Sequence, residues 1–324
     1  MQIKLLIKSM SCKFKLIFYL IICLITLSSC TTVQLNQRSD TQQFVAQMSK
    51  KYNFNQNELT TLFQQVKIQK NILATMEAPY EEQPWYVYKE HLITKQRVND
   101  GLSYWHKHAR ALRYAEKHYG VPASIIVAII GIESNYGTVK FKYRAIDALA
   151  TLSFYYPKRA AFFKQELTEY LLLTRQMEAN PLAFYGSYAG ALCIPQFMPS
   201  TWRRFAVSYQ SERAPDLNRD SDAIVSIANF LKQKGWQTRH TIAVRVKAPY
   251  RTISGVHSVA QFAKYGAIAP RAISRKDLAL PIELQNKKSQ EYWLGLNNFR
   301  VLMKYNPRIN YAMAVYELAK SLTN

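Results

Sequence analysis

Apolar residues recur along most of this 324-residue chain at the three-to-four spacing of amphipathic helices. Asn55, with Glu58 three residues later, forms a capping box ahead of a helix to about Lys67. Leu102 to Tyr119 reads as one helix closed by Gly120, and Pro122 takes the first helical position of the next segment. That segment carries Ile125 to Ile132, which has no polar face and so predicts a helix buried on every side. Further helices are expected from about Arg144 to Ser153 and from Pro157, where Phe163, Leu167, Tyr170 and Leu171 mark a buried face. Asp220 or Ser221 can cap another, with Ile224, Ile227, Ala228 and Leu231 as its apolar stripe and Gly235 at its end. Alternation then replaces the helical period at Ile242, Val244 and Val246 and at Leu278, Leu280, Ile282 and Leu284, predicting a short β lobe. Pro281 implies an edge strand there, and Asn310 opens a terminal helix through Met313 to Leu318. The expected class is mainly α (α+β).

The amino terminus departs from this pattern. Lys4, Lys8, Lys13 and Lys15 precede a nearly unbroken apolar stretch from Leu16 to Leu27, of signal-peptide length and short for a membrane span. Leu27-Ser28-Ser29-Cys30 resembles a bacterial lipobox, so residues 1–29 are expected to be removed and Cys30 lipidated; an uncleaved signal anchor is the alternative. Thr31 in place of Asp favours the outer membrane, with the chain facing the periplasm. Residues 30–42, rich in Thr, Gln, Asn and Ser, read as a tether, followed by a helical segment 43–110, a core 111–240, and a β lobe with a terminal helical segment, 241–324.

Of four cysteines, Cys12 and Cys23 leave with the leader and Cys30 carries lipid, so Cys193 stays as a free thiol and a disulfide framework is excluded. His106 and His108 lie two apart, on different faces of any helix, and read as surface residues rather than zinc ligands. Loss of the leader removes four lysines and no acid, lowering the formal charge from +22 to +18. A basic exported chain suits an anionic partner. Export argues against nucleic acid and leaves the peptide carboxylates of the murein sacculus, or lipid head groups.

Two constellations carry candidate chemistry. Glu133 follows the all-apolar run directly and precedes Ser134-Asn135-Tyr136-Gly137. A carboxyl at the end of a buried helix is partly desolvated, which raises its pKa and suits it to donate a proton to a leaving oxygen. A glutamate on an exposed last turn is the plainer reading. The second is Gly186-Ser187-Tyr188-Ala189-Gly190-Ala191, running into Pro195-Gln196-Phe197-Met198-Pro199-Ser200. Small residues permit close approach, Gln196 both donates and accepts, and Phe197 offers a face to a pyranose ring; a packed interhelical loop would look similar.

These motifs, together with Asp147-Ala148-Leu149-Ala150-Thr151-Leu152-Ser153-Phe154, Tyr292-Trp293-Leu294-Gly295-Leu296 and Asn298-Phe299, resemble the membrane-bound lytic murein transglycosylase B family over roughly Pro84 to Leu318. The resemblance implies a lysozyme-like helical core that cleaves the MurNAc-GlcNAc β-1,4 bond of peptidoglycan without water, leaving 1,6-anhydro-MurNAc ends. Glu133 would be the single acid and base. Ser187, Gln196 and Asn298 match positions that contact sugar, Tyr88, Phe197, Met198 and Tyr305 match groove-lining positions, and Lys158 and Arg159 match a basic pair facing the peptide stem or lactyl carboxylate. Asp147 is expected to be structural, hydrogen-bonded or paired with Arg144. Glycan strands, a membrane reached through Cys30 and other wall-synthesis enzymes are the expected partners, with no cofactor.

Two features depart from the family pattern. The family's calcium loop would fall on Ser208 to Asp222, where Arg213 and Pro215 spoil the rhythm of oxygen ligands, so no metal is expected. Cys193 stands where a glycine is usual and is expected to be buried and inert rather than redox-active. A water-using lysozyme and a murein-binding lipoprotein without catalysis are the competing readings.

Overall fold

A computed structural model describes residues 35–77, 83–210, 212–247 and 253–323. The leader, the lipobox and Cys30 lie outside the described residues. Two compact units divide between Gln65 and Val66, inside the segment expected to run from 43 to 110.

The first unit holds α1 (Ser39–Tyr52) and α2 (Gln56–Gln64). Residues 39–42, expected to be part of a tether, instead form the first turn of α1. Their composition is polar, yet Thr41 belongs with Phe44, Val45 and Met48 to one buried stripe, so the period decides and not the polarity. Asn53, with φ of 56°, ends α1 in the left-handed region. Two residues later the Asn55 side chain accepts from the backbone N–H groups of Asn57 and Glu58, the expected cap of α2. Phe44 and Phe63 close the pair edge to face, 5.9 Å apart.

The second unit contains α3 (Lys70–Glu77), α4 (Trp85–Leu92), α5 (Lys95–Lys107), α6 (Ala109–Tyr119), α7 (Ala123–Ser134), α8 (Ala145–Tyr155), α9 (Ala160–Gln176), α10 (Pro199–Phe205), α11 (Asp220–Gln233), α12 (Val259–Lys264), α13 (Asn297–Leu302) and α14 (Ile309–Ser321). The helix expected from Leu102 to Tyr119 is two. The break falls at His108, whose ring lies 4.4 Å from that of Tyr104 and whose Nε2 lies 3.6 Å from Asp220. His108 is therefore half-buried, not a surface residue, while His106 is exposed.

Helix α7 is the axis of this unit. It packs against α5, α6, α11 and α14, which together cover its apolar circumference and explain why no face of it is polar. A two-residue ladder joins β1 (Tyr143–Arg144) to β2 (Tyr185–Gly186), pairing Tyr143 with Gly186 and Arg144 with Tyr185. The β lobe is a four-stranded antiparallel sheet in the order β3-β6-β5-β4, from β3 (Ala243–Arg245), β4 (His257–Ser258), β5 (Leu278–Gln285) and β6 (Gln290–Gly295). Phe262, Ala279 and Leu294 sit in its core. Strand β5 is internal rather than an edge, because β4 pairs with Leu278 and Ala279. Pro281 is tolerated because β4 stops short of it, leaving pairing only with Leu294 of β6.

Tyr136 fills the gap between α5 and α7. A Cβ on Gly131 would lie 2.6 Å from the Tyr136 ring, and one on Gly101 would lie 2.6 Å from its hydroxyl oxygen. The hydroxyl also donates to the carbonyl of Arg97 at 2.8 Å, so the ring cannot swing aside. Gly131→Ala should therefore lower stability by about 1–3 kcal/mol through overpacking. A urea-melt midpoint unchanged by this substitution would show that the Tyr136 wedge is not tightly held.

Candidate active site

Glu133 occupies the last turn of α7, half-buried, at the point where the helix leaves the core. The chain stops helically there because Asn135, Tyr136 and Gly137 have φ of 46°, 59° and 78°, three consecutive left-handed residues. Ser134 Oγ donates to the carbonyl of Ile130 and accepts from the N–H of Gly137, closing the turn. The motif after Glu133 is thus a device for ending a buried helix at a fixed place. Tyr311, near the start of α14, donates its hydroxyl to Glu133 Oε1 at 2.6 Å. Burial first, and the Glu133 charge second, hold the Tyr311 phenol well above its ordinary pKa, so it remains a neutral donor. Tyr88 of α4 lies close enough to Tyr311 to act on it electrostatically.

From Tyr311 an aromatic series leads away from the carboxylate. Tyr305 stacks on Tyr311 with ring centres 6.3 Å apart and 13° between planes, and Phe197 and Phe230 follow at 5.7 and 5.1 Å from Tyr305. Tyr305 donates to the carbonyl of Pro195 at 2.5 Å, tying the series to the segment before Gln196. Gln196, Phe197, Met198, Thr201, Phe230, Lys304 and Tyr305 line a cavity of about 60 Å³. Phe197 is only 2 % exposed, so it forms the floor of this cavity rather than an open sugar platform. Gln196, at φ of 50°, turns its amide back to the carbonyl of Cys193.

Ser187 organises the Gly186–Ala191 loop. Its Oγ accepts from the N–H groups of Ala189 and Ala191, and its own N–H donates to the carbonyl of Ala191. A Cβ on Gly190 would lie 2.5 Å from Leu149, and one on Gly186 would lie 2.3 Å from the carbonyl oxygen of Ala191. The glycines are there for close packing within the protein, the plainer of the two readings that their size allowed. The ladder of β1 and β2 and the bridges Gly186 to Leu192 and Leu192 to Phe197 connect this loop to the Gln196 segment.

Other expected site residues fall elsewhere. Asn298 is fully buried: its carbonyl accepts from the N–H of Gln237, and its amide donates to the carbonyls of Gln237 and His240. Saturated in this way, it fixes a turn and is not presented to a sugar. Lys158 is exposed and paired with Glu77, while the Arg159 guanidinium lies over Phe162 at 4.3 Å. Asp147 takes a two-point contact from Arg144 at 2.9 and 2.8 Å and accepts the N–H of Lys67, as its structural reading required. Tyr311 was not singled out from sequence. Its only signal was a tyrosine directly after the residue expected to open the terminal helix.

Residues 36–320 match the Transglycosylase SLT domain family. The chain belongs to that family. It is a peptidoglycan lytic transglycosylase with a mainly α, lysozyme-like fold. It is 36% identical over 298 residues to membrane-bound lytic murein transglycosylase B of Escherichia coli (strain K12), spanning 87% of this chain and 82% of that protein. It is also similar to the catenated lytic transglycosylase SltB1 from Pseudomonas aeruginosa, with a TM-score of 0.83 and 37% identity over 89% of this chain and 98% of that one. SltB3 from Pseudomonas aeruginosa, solved with NAG-NAM-pentapeptide, gives a TM-score of 0.76 at 25% identity over 88% of this chain and 79% of that one.

The two features expected to depart from the family pattern have local explanations. In the 208–222 loop, fully buried Asp222 accepts backbone N–H groups from Tyr209 and Asp216, each at 3.0 Å, and faces the Arg213 guanidinium at 3.4 Å. Backbone amides and an arginine thus occupy the Asp222 carboxylate, and the Arg213 cation beside it repels a metal ion, so this residue does not fit a calcium ligand. Cys193 has φ of 59°, which explains why glycine suits this position.

Burial, chiefly, and the nearby Asp216 charge push the Cys193 thiol up to about 12. At about pH 8 only ~10⁻⁴ of it is thiolate, so the native chain should resist iodoacetamide and react once unfolded in urea. Rapid alkylation of the folded chain, followed by mass spectrometry, would contradict the inert reading.

Proposed function

We propose that this transglycosylase cleaves the MurNAc-GlcNAc β-1,4 bond with Glu133 as its single acid and base, leaving 1,6-anhydro-MurNAc. The observation that carries this reading is the placement of Glu133 at the end of a buried helix, with one carboxylate oxygen held by the neutral Tyr311 phenol. Glu133 gives its proton to the GlcNAc O4 as the C1–O4 bond breaks. The muramyl N-acetyl oxygen then bonds to C1 and holds the positive charge. In the second half the Glu133 carboxylate takes the proton of the muramyl 6-hydroxyl as O6 displaces that oxygen from C1. No second carboxylate is required, in keeping with Asp147 being held by Arg144.

Gln196, Met198 and Tyr305 are the groove residues of this reading, with Phe197 beneath them, Tyr88 near Tyr311, and Ser187 shaping the Gly186–Ala191 loop. Lys158 and Arg159 stand for the peptide stem or lactyl carboxylate. Peptidoglycan as ligand is supported by the pentapeptide complex of the related SltB3. General acid-base help is typically worth ~10²–10⁴-fold, and here one residue acts twice, so Glu133→Gln should lose activity at or beyond the upper end while still binding sacculi. Purified sacculi and mass spectrometry of the released muropeptides decide this. Near-normal anhydro product from the variant would overturn the assignment, and reducing ends from the unmodified enzyme would favour a water-using lysozyme.

For localisation, the proposal is an outer-membrane lipoprotein anchored through Cys30. It is supported by the lipobox and by the membrane-bound name of the Escherichia coli relative. Among the described residues no helix is long and apolar enough to cross a membrane. Cys30→Ala should leave the chain unlipidated and outside the membrane fraction. Unchanged fractionation with lipidated protein would remove this part of the reading.

A further inference from the structure

A cavity of about 500 Å³ opens between the β lobe and α13, with Arg239, Lys276 and Arg300 in its wall and Asp277 as the carboxylate among them. Through Asn297 and Arg300 it meets a second cavity of about 460 Å³, which adds Lys234 and Lys304. Lys304 in turn belongs to the small cavity of Gln196, Phe197 and Tyr305. The three lie next to one another along α13, a row of concavities, or trough, from the Gln196 segment to the β lobe.

The charges in this trough are unbalanced. Among the described residues none of Arg239, Lys276, Arg300, Lys234 and Lys304 makes an ion pair. Arg300 Nε is buried without a hydrogen-bond partner, and Nη2 reaches only Asn297 Oδ1, at 3.5 Å. Arg239 is held at φ of 63°, a strained position for a residue with a side chain, in the turn that buried Asn298 clamps from both sides. Burial first, and the neighbouring Arg204 and Lys304 charges second, lower the Lys234 pKa, and its Nζ lies over the Phe205 ring at 4.6 Å. Arg239, Lys276 and Arg300, gathered in one concavity with Asp277 as the single carboxylate, suit an anionic ligand.

We propose that this trough binds the carboxylates of the murein peptide stem while the glycan lies at Glu133. The inference rests on the murein reading above. Lys304, shared with the Gln196 cavity, sets the trough beside the candidate glycan site and favours a ligand attached to the glycan. Helix α13, along which the trough lies, rises about 8 Å from Asn297 to Leu302, the length of roughly two to three extended peptide residues. A concave, cation-lined trough suits an extended acidic peptide better than a flat lipid surface.

The test uses the full mature chain carrying Glu133→Gln, so that ligand is bound but not cut, titrated calorimetrically with NAG-NAM-pentapeptide and with NAG-NAM lacking the peptide. The double change Arg239→Gln and Lys276→Gln should weaken the pentapeptide about tenfold or more and leave the peptide-free disaccharide as in the parent. Arg300→Gln should act in the same direction. Raising salt on the parent should weaken the pentapeptide more than the disaccharide, a readout that needs no further variant. Equal affinity of the parent for both ligands, or equal loss of both in the double variant, overturns the proposal. Retained pentapeptide binding together with lost binding to phosphatidylglycerol vesicles would assign the trough to a lipid surface instead. Product analysis of the unmodified enzyme on sacculi is separate: reducing ends would refute the lyase reading without touching the binding result.

Discussion

The constraint on which the site depends is the way α7 ends. A helix apolar on every side is stable only while other helices cover it, and Glu133 is placed where that cover gives out. Stopping there requires left-handed backbone at Asn135 and Tyr136, each costing about 1–2 kcal/mol for a residue with a side chain. The Tyr136 ring, wedged against Gly131 and Gly101 and bonded to the Arg97 carbonyl, offsets that cost through burial and a hydrogen bond. The carboxylate is thereby positioned by packing on the far side of its own helix. Packing remote from the carboxylate decides where Glu133 points.

The stacked pair Tyr311 and Tyr305 carries that placement outward. Both phenols are held well above their usual pKa by burial, first of all, and by the Glu133 charge, so both act as neutral donors. One donates to the carboxylate and the other to the Pro195 carbonyl. Glu133 and the Gln196 segment, far apart in sequence, are linked through two rings whose separation is set by stacking. Glu166, on α9, adds a further support: buried, it accepts the N–H and hydroxyl of Ser200, holding the start of α10 beside Met198. Desolvation raises the Glu166 pKa against the lowering effect of these bonds.

Much of this was legible in the chain. The unbroken apolar run predicted a buried helix, and Asn55, Gly120 and Gly235 marked helix ends by mechanisms the structure retains. The glycines of the 186–191 loop signalled close approach, and Leu149 and Ala191 supply the neighbours. Long-range partnership was not legible. Tyr311 reads as one more residue of an amphipathic helix until α14 is laid against α7, and strand β6 lacks alternation because its residues from Trp293 to Gly295 are all buried. Asn298 misled for the same reason: an amide in a motif looks like a ligand contact, and only the Gln237–His240 turn shows where its donors and acceptor go.

That turn also shows how one short helix serves two ends. Asn298 points from α13 into the protein and fixes the backbone that carries Arg239, while Arg300 and Lys304 line the trough outside. A chain of strongly positive charge could spread its cations for solubility alone. Here Lys234 and Arg300 are half-buried, and Arg239 stands on a backbone position that disfavours side chains; neither condition serves solubility. Each costs free energy in the unliganded molecule. Their convergence on a path that starts at the candidate glycan site is what separates a binding surface from a merely basic one.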